Sequence, residues 1–272
     1  MCELLAISSR HQTRLSLSLQ TLATHSAPGS RLRDGWGAAF YQGRDVALYR
    51  EAGAASDSAL VRLLHTEGPV TTLALSHIRR ATAGEITLAN TQPFVREMGG
   101  RMHAFAHNGQ LTGIAQAEPL AARHFQPVGQ TDSERAFCAL LERLRPLWRP
   151  ALDAPAAQAV LDLLAGFATE LRALGPANFL YTDGQTLFAH GHQRTQGDGQ
   201  IAPPGLHMLT RSCETDAESL QAHGLDIGHD GQQITLLASV PLSDEAWQPL
   251  AEGELVAIQD GRLLARRQPP PG

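Results

Sequence analysis

Four short clusters carry side chains capable of chemistry. The chain opens Met1-Cys2. Loss of an initiator Met before a small residue would leave Cys2 with its thiol and a free α-amine in one residue. An α-amine of pKa about 7.7–8.0, beside a thiol of about 8.5, acts as a base near neutral pH without a histidine. His77-Ile78-Arg79-Arg80-Ala81-Thr82 follows an apolar stretch, and a guanidinium there can grip a carboxylate through two parallel hydrogen bonds. His107-Asn108-Gly109 offers a side-chain amide and a backbone N–H opened by Gly, the parts of an oxyanion hole. Thr131-Asp132-Ser133-Glu134 offers a carboxylate for an ammonium group. Each alone has a plainer reading: a small buried hydrophobe, surface arginines, an Asn-Gly turn and a helix capping box. Together they are what is needed to hold a free amino-acid head group and attack its side-chain amide.

Composition narrows the chemistry. The 272 residues contain no lysine, so every basic side chain is Arg. That excludes a Schiff base, a pyridoxal phosphate anchor and a P-loop lysine. A net charge of −5 without a basic block argues against nucleic-acid binding. With 43% hydrophobic and 18% charged residues the chain reads as soluble and globular. No apolar run approaches the roughly 18–20 residues of a membrane helix. Cys2, Cys138 and Cys213 are too few and scattered for a disulfide framework or a Cys-rich zinc site. The N-terminus lacks a basic region and a cleavage site, so a reducing cytoplasm is expected. His190-Gly191-His192 has no carboxylate or Cys nearby to complete a metal site, and no metal is expected. Cys138 should pack in its helix. Cys213 falls in a polar stretch, Arg211-Ser212-Cys213-Glu214, read as a loop.

The elements that must position these clusters follow from periodicity. Glu3–Ser8, Val70–His77, Met102–Ala106 and Gln233–Val240 read as strands. Gln42-Gly43-Arg44-Asp45, Asp183-Gly184 and Asp260-Gly261 read as hairpin turns between flanking strands. Helices are expected after Asp57 or Ser58, after Asp132 or Ser133 as far as Pro146, and over Ala156–Leu174 before Gly175-Pro176. Arg14–Ala23 fits a strand or a helix. Strands, then helices, then strands, joined by hairpins, predict an α+β domain of antiparallel sheets covered by helices.

The ordered set of motifs resembles the class II glutamine amidotransferases, the N-terminal-nucleophile (Ntn) hydrolases with a processed Cys. The matching residues are Met1-Cys2, Asp34-Gly35-Trp36-Gly37, Ser76–Thr82 with Gly84, Asn90-Thr91-Gln92-Pro93-Phe94, His107-Asn108-Gly109 and Gly129–Glu134. Ala238-Ser239-Val240-Pro241-Leu242 is similar to the stand-alone bacterial branch, which includes γ-glutamyl amidases. The resemblance implies a four-layer αββα sandwich of two stacked antiparallel sheets, and it favours a helix for Arg14–Ala23. It implies Cys2 as nucleophile and base, Arg79 on the substrate α-carboxylate and Asp132 on its α-ammonium. It further implies Asn108 and the Gly109 N–H on the oxyanion, the Thr82 backbone at the pocket wall, and Gly35 or Gly37 giving the backbone access to Cys2. No cofactor is implied. Synthase-fused members commonly carry Trp after the clamp Arg, and Arg80 stands there instead, for a salt bridge or a longer γ-glutamyl substrate. One domain over residues 1–267 and a tail over 268–272 are expected, which leaves no second catalytic domain to accept ammonia. The expected activity is release of ammonia or an amine from glutamine or a γ-glutamyl compound through a Cys2 thioester. The product is hydrolysed, or ammonia passes to a partner protein. A γ-glutamyl conjugate hydrolase of thiol metabolism and a non-catalytic glutamine-binding subunit are the alternatives.

Overall fold

The computed structural model describes residues 2–14, 24–27, 29–30, 32–82, 84–148, 154–213 and 231–269. The chain begins with β1 (Glu3–Arg14), the hairpin β2 (Trp36–Gln42) and β3 (Asp45–Glu51), α1 (Ala59–Glu67) and β4 (Val70–Ile78). A second hairpin, β5 (Phe94–Met98) and β6 (Arg101–Gly109), leads to α2 (Asp132–Leu144) and α3 (Ala157–Arg172). Then come β7 (Ala177–Thr182), β8 (Leu187–His190), the short pair β9 (Arg194–Thr195) and β10 (Ile201–Ala202), and β11 (His207–Cys213). The last strands are β12 (Gln232–Ala238), β13 (Gln248–Pro249), β14 (Leu255–Gln259) and β15 (Arg262–Arg267).

Two antiparallel sheets stack face to face. Sheet A has the order β13-β11-β12-β1-β4-β2-β3, and sheet B the order β15-β14-β8-β7-β6-β5. Strand alternation explains why β1 is an unbroken apolar run. Leu4 and Ala6 point into the layer between the sheets, while Leu5 and Ile7 point outward to the cluster that includes Val61 and Leu64 of α1. Both faces of the strand are thus buried. The inter-sheet layer uses small side chains at its centre, Ala6, Ala104, Ala106 and Ala189, among Leu75, Leu180 and Val256. On the far side of sheet B, α2 and α3 lay Phe137, Leu140, Leu164 and Phe167 over Phe105 and Phe179. The result is the expected αββα sandwich.

Local signals account for most boundaries. Ser58 caps α1, its Oγ accepting from Val61 N at 3.0 Å. Asp260 (φ 50°) and Gly261 (φ 73°) both take positive φ, as a two-residue hairpin turn matched to strand twist requires. Several expectations need correction. β1 runs past Ser8 to Arg14; the rest of the ambiguous segment, residues 15–23, lies outside the described residues. Thr131, not Asp132 or Ser133, is the cap of α2. His107-Asn108-Gly109 is no turn but the end of β6, paired to Phe179, Asn178 and Ala177. Arg211-Ser212-Cys213 is no loop but the end of β11, paired to Ile234, Gln233 and Gln232. β5 carried no signal of its own in the sequence. Among the described residues no helix is long and apolar enough to cross a membrane.

Candidate active site

The four clusters meet at one end of the sandwich. Cys2 is half-buried just before β1. Its Sγ accepts from Arg80 N at 3.2 Å and lies 3.3 Å from Arg80 O. Asn108 reaches across from sheet B, its Nδ2 donating to Cys2 O at 2.5 Å and to Ser239 Oγ at 3.3 Å. Arg79 and Asp132 both act electrostatically on the thiol. Burial pushes its pKa up, the Arg80 N–H and the Arg79 charge pull it down, and Asp132 adds to the rise. The net shift is upward, so the thiol is protonated at neutral pH and needs a base to become a nucleophile.

Arg79 is 3% exposed. Its Nη1 donates to Asp34 O (3.4 Å) and Glu85 O (3.0 Å), and its Nη2 to Gly84 O (3.4 Å). These carbonyl oxygens orient the guanidinium. Burial lowers its pKa, and Asp34 opposes that. The Asp34 carboxylate accepts from Ala81 N at 2.8 Å, which fixes the turn after β4. Arg80 is half-buried, and Thr82 is exposed on that turn.

Asp132 is the first residue of α2. Its Oδ2 accepts from Leu111 N (2.7 Å) and its Oδ1 from Ser133 N (2.8 Å), and the helix N-terminus favours its charge. Oδ1 also accepts from Ser133 Oγ at 3.4 Å, while Oδ2 keeps a lone pair for a further donor. The capping box is only half made. Thr131 Oγ1 accepts from Glu134 N at 3.2 Å, but the Glu134 carboxylate turns away. It accepts from Val128 N (3.1 Å), Gly129 N (2.7 Å) and Arg96 Nη2 (2.5 Å). Glu134 therefore braces the loop that delivers Asp132.

Gly109 ends β6 where nothing larger fits, since a Cβ would stand 1.7 Å from Pro176 O. The implied role of Gly35 and Gly37 is corrected. A Cβ on Gly35 would meet Thr91 Oγ1 at 2.9 Å, and one on Gly37 would meet Gln92 O at 2.3 Å. Gly35 admits the Thr91 side chain and Gly37 the Gln92 backbone, rather than Cys2.

Sequence reasoning assigned nothing to several residues that hold the site. Ser239 Oγ accepts from Leu4 N at 3.0 Å as well as from Asn108, and Ser239 O accepts from Arg194 Nη1 at 2.7 Å. Asn178 Nδ2 donates to Asn108 O at 3.1 Å. Gln92 serves the free edge of β6 as a strand would, Oε1 accepting from His107 N (2.6 Å) and Nε2 donating to His107 O (3.2 Å). His107 Nδ1 and Ser133 Oγ share a 2.9 Å hydrogen bond. Ser239, Gln92, His107 and Ser133 lie in motifs quoted for the family resemblance, whereas Asn178 and Arg194 left no trace in the sequence.

The ring nitrogens of His190 and His192 engage protein groups. His190 Nδ1 lies 2.6 Å from Ala177 O, and its Nε2 lies 3.1 Å from Arg172 Nη1. His192 Nδ1 accepts from Ala177 N at 3.3 Å. Cys138 is buried in α2, and burial pushes its thiol up to about 11.

Comparison with known proteins finds relatives along the length of the chain. Residues 1–271 match the family of glutamine amidotransferases class-II. The Escherichia coli (strain K12) glutamine amidotransferase candidate YafJ is 34% identical over 260 residues, spanning 93% of this chain and 96% of that protein. A crystal structure of a glutamine amidotransferase from Pseudomonas aeruginosa PA01, so named by prediction, superposes with a TM-score of 0.67 at 31% identity. It covers 97% of this chain and 99% of that one. The Bacillus subtilis glutamine phosphoribosylpyrophosphate amidotransferase superposes at 0.58 with 16% identity, over 98% of this chain and 49% of that one, and shows the same fold. On the match along its length and the sandwich that carries it, the chain belongs to the class II glutamine amidotransferases.

Proposed function

We propose that the protein hydrolyses the γ-amide of glutamine or of a γ-glutamyl compound, with Cys2 as nucleophile. The observation that carries this is the 2.5 Å contact from Asn108 Nδ2 to Cys2 O. It sets an amide donor of one sheet against the thiol-bearing residue of the other. Once Met1 is removed, the Cys2 α-amine takes the thiol proton that burial otherwise retains. The thiolate attacks the γ-carbonyl carbon. Arg79 holds the α-carboxylate and Asp132 the α-ammonium, with the Thr82 backbone at the wall.

The oxyanion takes Asn108 Nδ2 and the Gly109 N–H. Of the two Asn108 bonds, the 3.3 Å one to Ser239 is the weaker and is the one the oxyanion displaces. The tetrahedral intermediate expels ammonia or an amine, protonated by the α-ammonium, and leaves a γ-glutamyl thioester. Water, deprotonated by the α-amine, then releases glutamate. The step needs no cofactor. Free glutamine and γ-glutamyl conjugates share the head group held by Arg79 and Asp132, so both are candidate substrates, with a partner protein as acceptor where ammonia is to be used.

The test combines intact mass with a substrate panel. Loss of Met1 and glutamate release from glutamine or a γ-glutamyl amide are expected, together with a thiol-directed glutamine analogue adding its mass to the N-terminal peptide. Full turnover by Cys2→Ala would end the proposal.

A further inference from the structure

The mechanism leaves a buried imidazole near the reacting end unused. His77 lies on β4, two residues before Arg79, and is 0% exposed. In the sheet it stands beside Leu4 of β1 and Gly37 of β2. Leu4, two residues past Cys2, is tied on its other side to Ser239, Leu4 N donating to Ser239 Oγ and Ser239 N to Leu4 O, both at 3.0 Å. Ser239, Leu4 and His77 therefore form a row across sheet A. Leu4 faces the inter-sheet layer, and residues directly opposite in a ladder share a face, so His77 faces sheet B.

The residues of β6 on that layer are Ala104 and Ala106. By strand alternation Asn108 follows them, and its bonds to Cys2 and Ser239 agree. Asn108 Oδ1 is buried and has no hydrogen-bond partner among the described residues; neither ring nitrogen of His77 has one. Buried polar groups are almost always paired. Here an unpaired acceptor and an unpaired imidazole face each other's sheet at the reacting end. Burial, with His107 and Arg79 nearby, lowers the His77 pKa to about 3. The ring is therefore neutral and carries one N–H donor and one acceptor.

We propose that His77 is a positioning residue for the oxyanion donor: its ring N–H engages Asn108 Oδ1 as substrate binds, and so keeps Asn108 Nδ2 turned toward the reacting carbonyl. A side-chain amide rotated by half a turn would present oxygen to the oxyanion instead. In the free enzyme Cys2 O and Ser239 Oγ hold the amide. When the oxyanion displaces Ser239, one of those holds is lost, and His77 replaces it. Catalytic hydrogen bonds commonly tighten only in the substrate complex.

The inference rests on Asn108 serving as oxyanion donor. The experiment measures glutamate release by His77→Leu and His77→Gln, each in the Asn108 and the Asn108→Ala backgrounds. His77→Leu should lower kcat about 10-fold or more with KM within about twofold. His77→Gln, which keeps an N–H donor, should recover most of that loss. In the Asn108→Ala background His77→Leu should cost less than about twofold, since the group it positions is gone. An unchanged kcat in His77→Leu, or an equal loss in both backgrounds, overturns the proposal. If His77→Leu does not fold, nitrogen NMR of the wild-type His77 ring decides. A hydrogen-bonded N–H signal should appear on reaction with a glutamine analogue, and its absence overturns the proposal. Failure of the underlying function is distinct: the wild type itself would release no glutamate, or Cys2→Ala would match it.

Discussion

Replacing Asn108 with Ala separates catalysis from folding. The side chain makes two hydrogen bonds, to Cys2 O at 2.5 Å and to Ser239 Oγ at 3.3 Å. Ser239 Oγ keeps Leu4 N, and the Asn108 backbone oxygen keeps Asn178. Ser239 Oγ loses the longer of the two Asn108 bonds but keeps Leu4 N, and Cys2 O loses the shorter. One orphaned acceptor costs about 1–3 kcal/mol, and removing the unpaired Oδ1 offsets part of that. A loss near 2 kcal/mol leaves a folded protein, since domains hold about 5–15 kcal/mol. Tm should fall by about 4–8 °C. The catalytic loss is larger: one oxyanion donor is worth about 10²–10³ in kcat, or about 2.7–4 kcal/mol. Glutamate release under steady-state conditions should therefore show kcat falling by that factor. KM should stay within about twofold, because the proposed mechanism gives the head group to Arg79 and Asp132. Asn108→Asp keeps the shape but sets a carboxylate against the developing oxyanion, and should be no better than Ala. A folded Asn108→Ala enzyme with kcat within about threefold of wild type would refute the reasoning.

Glu134→Ala removes a carboxylate that is 1% exposed and braces Arg96, Val128 N and Gly129 N. Breaking such a pair costs about 3 kcal/mol, the low end because Arg96 is partly exposed. A melting scan should show a drop of about 6–12 °C, and KM should rise as the loop before Asp132 loosens. Gly109→Ala forces a Cβ to 1.7 Å from Pro176 O. Calorimetry should show a loss of about 3 kcal/mol, whereas Gly166→Ala, with nothing within 4 Å of its Cβ, should gain up to about 1 kcal/mol in α3. Burial holds His77 and His190 near a pKa of about 3 and His103 near about 4. The folded state thus refuses protons that the unfolded chain accepts, so stability is lost as pH falls from about 6.5 toward 4. Melting temperatures independent of pH across that window would contradict the burial of these rings.

The αββα layering was legible because its signals are local. The Asp260-Gly261 turn, the Ser58 cap and the doubly buried run of β1 each follow from a few adjacent residues. The clusters at Cys2, Arg79, Asn108 and Asp132 were legible as a set, although each alone has an ordinary reading. What stayed hidden depends on partners remote in sequence. His107-Asn108-Gly109 reads as a turn until the Gln92 side chain and β7 hold it extended. Arg211-Ser212-Cys213 reads as a polar loop until β12 pairs with it. Glu134 reads as half of a capping box until Arg96 and the Val128–Gly129 amides take its carboxylate. Ser239 stands 235 residues from the Leu4 amide it accepts from, and no periodicity links them.

That last separation has a consequence for how the protein comes into being. β1 is an interior strand of sheet A, flanked by β4 and by β12. On a ribosome, the strand that follows Cys2 is made long before residues 232–239 and cannot be enclosed on both sides until they have been synthesised. Asn108, made midway, has no Ser239 to steady it until then. Pairings this distant form slowly, so Cys2 spends most of translation beside a half-built sheet. Activity should therefore emerge late and abruptly, when the β12 segment closes over β1, and a nascent chain halted before residue 232 should be inert however well its Cys2 has been unmasked.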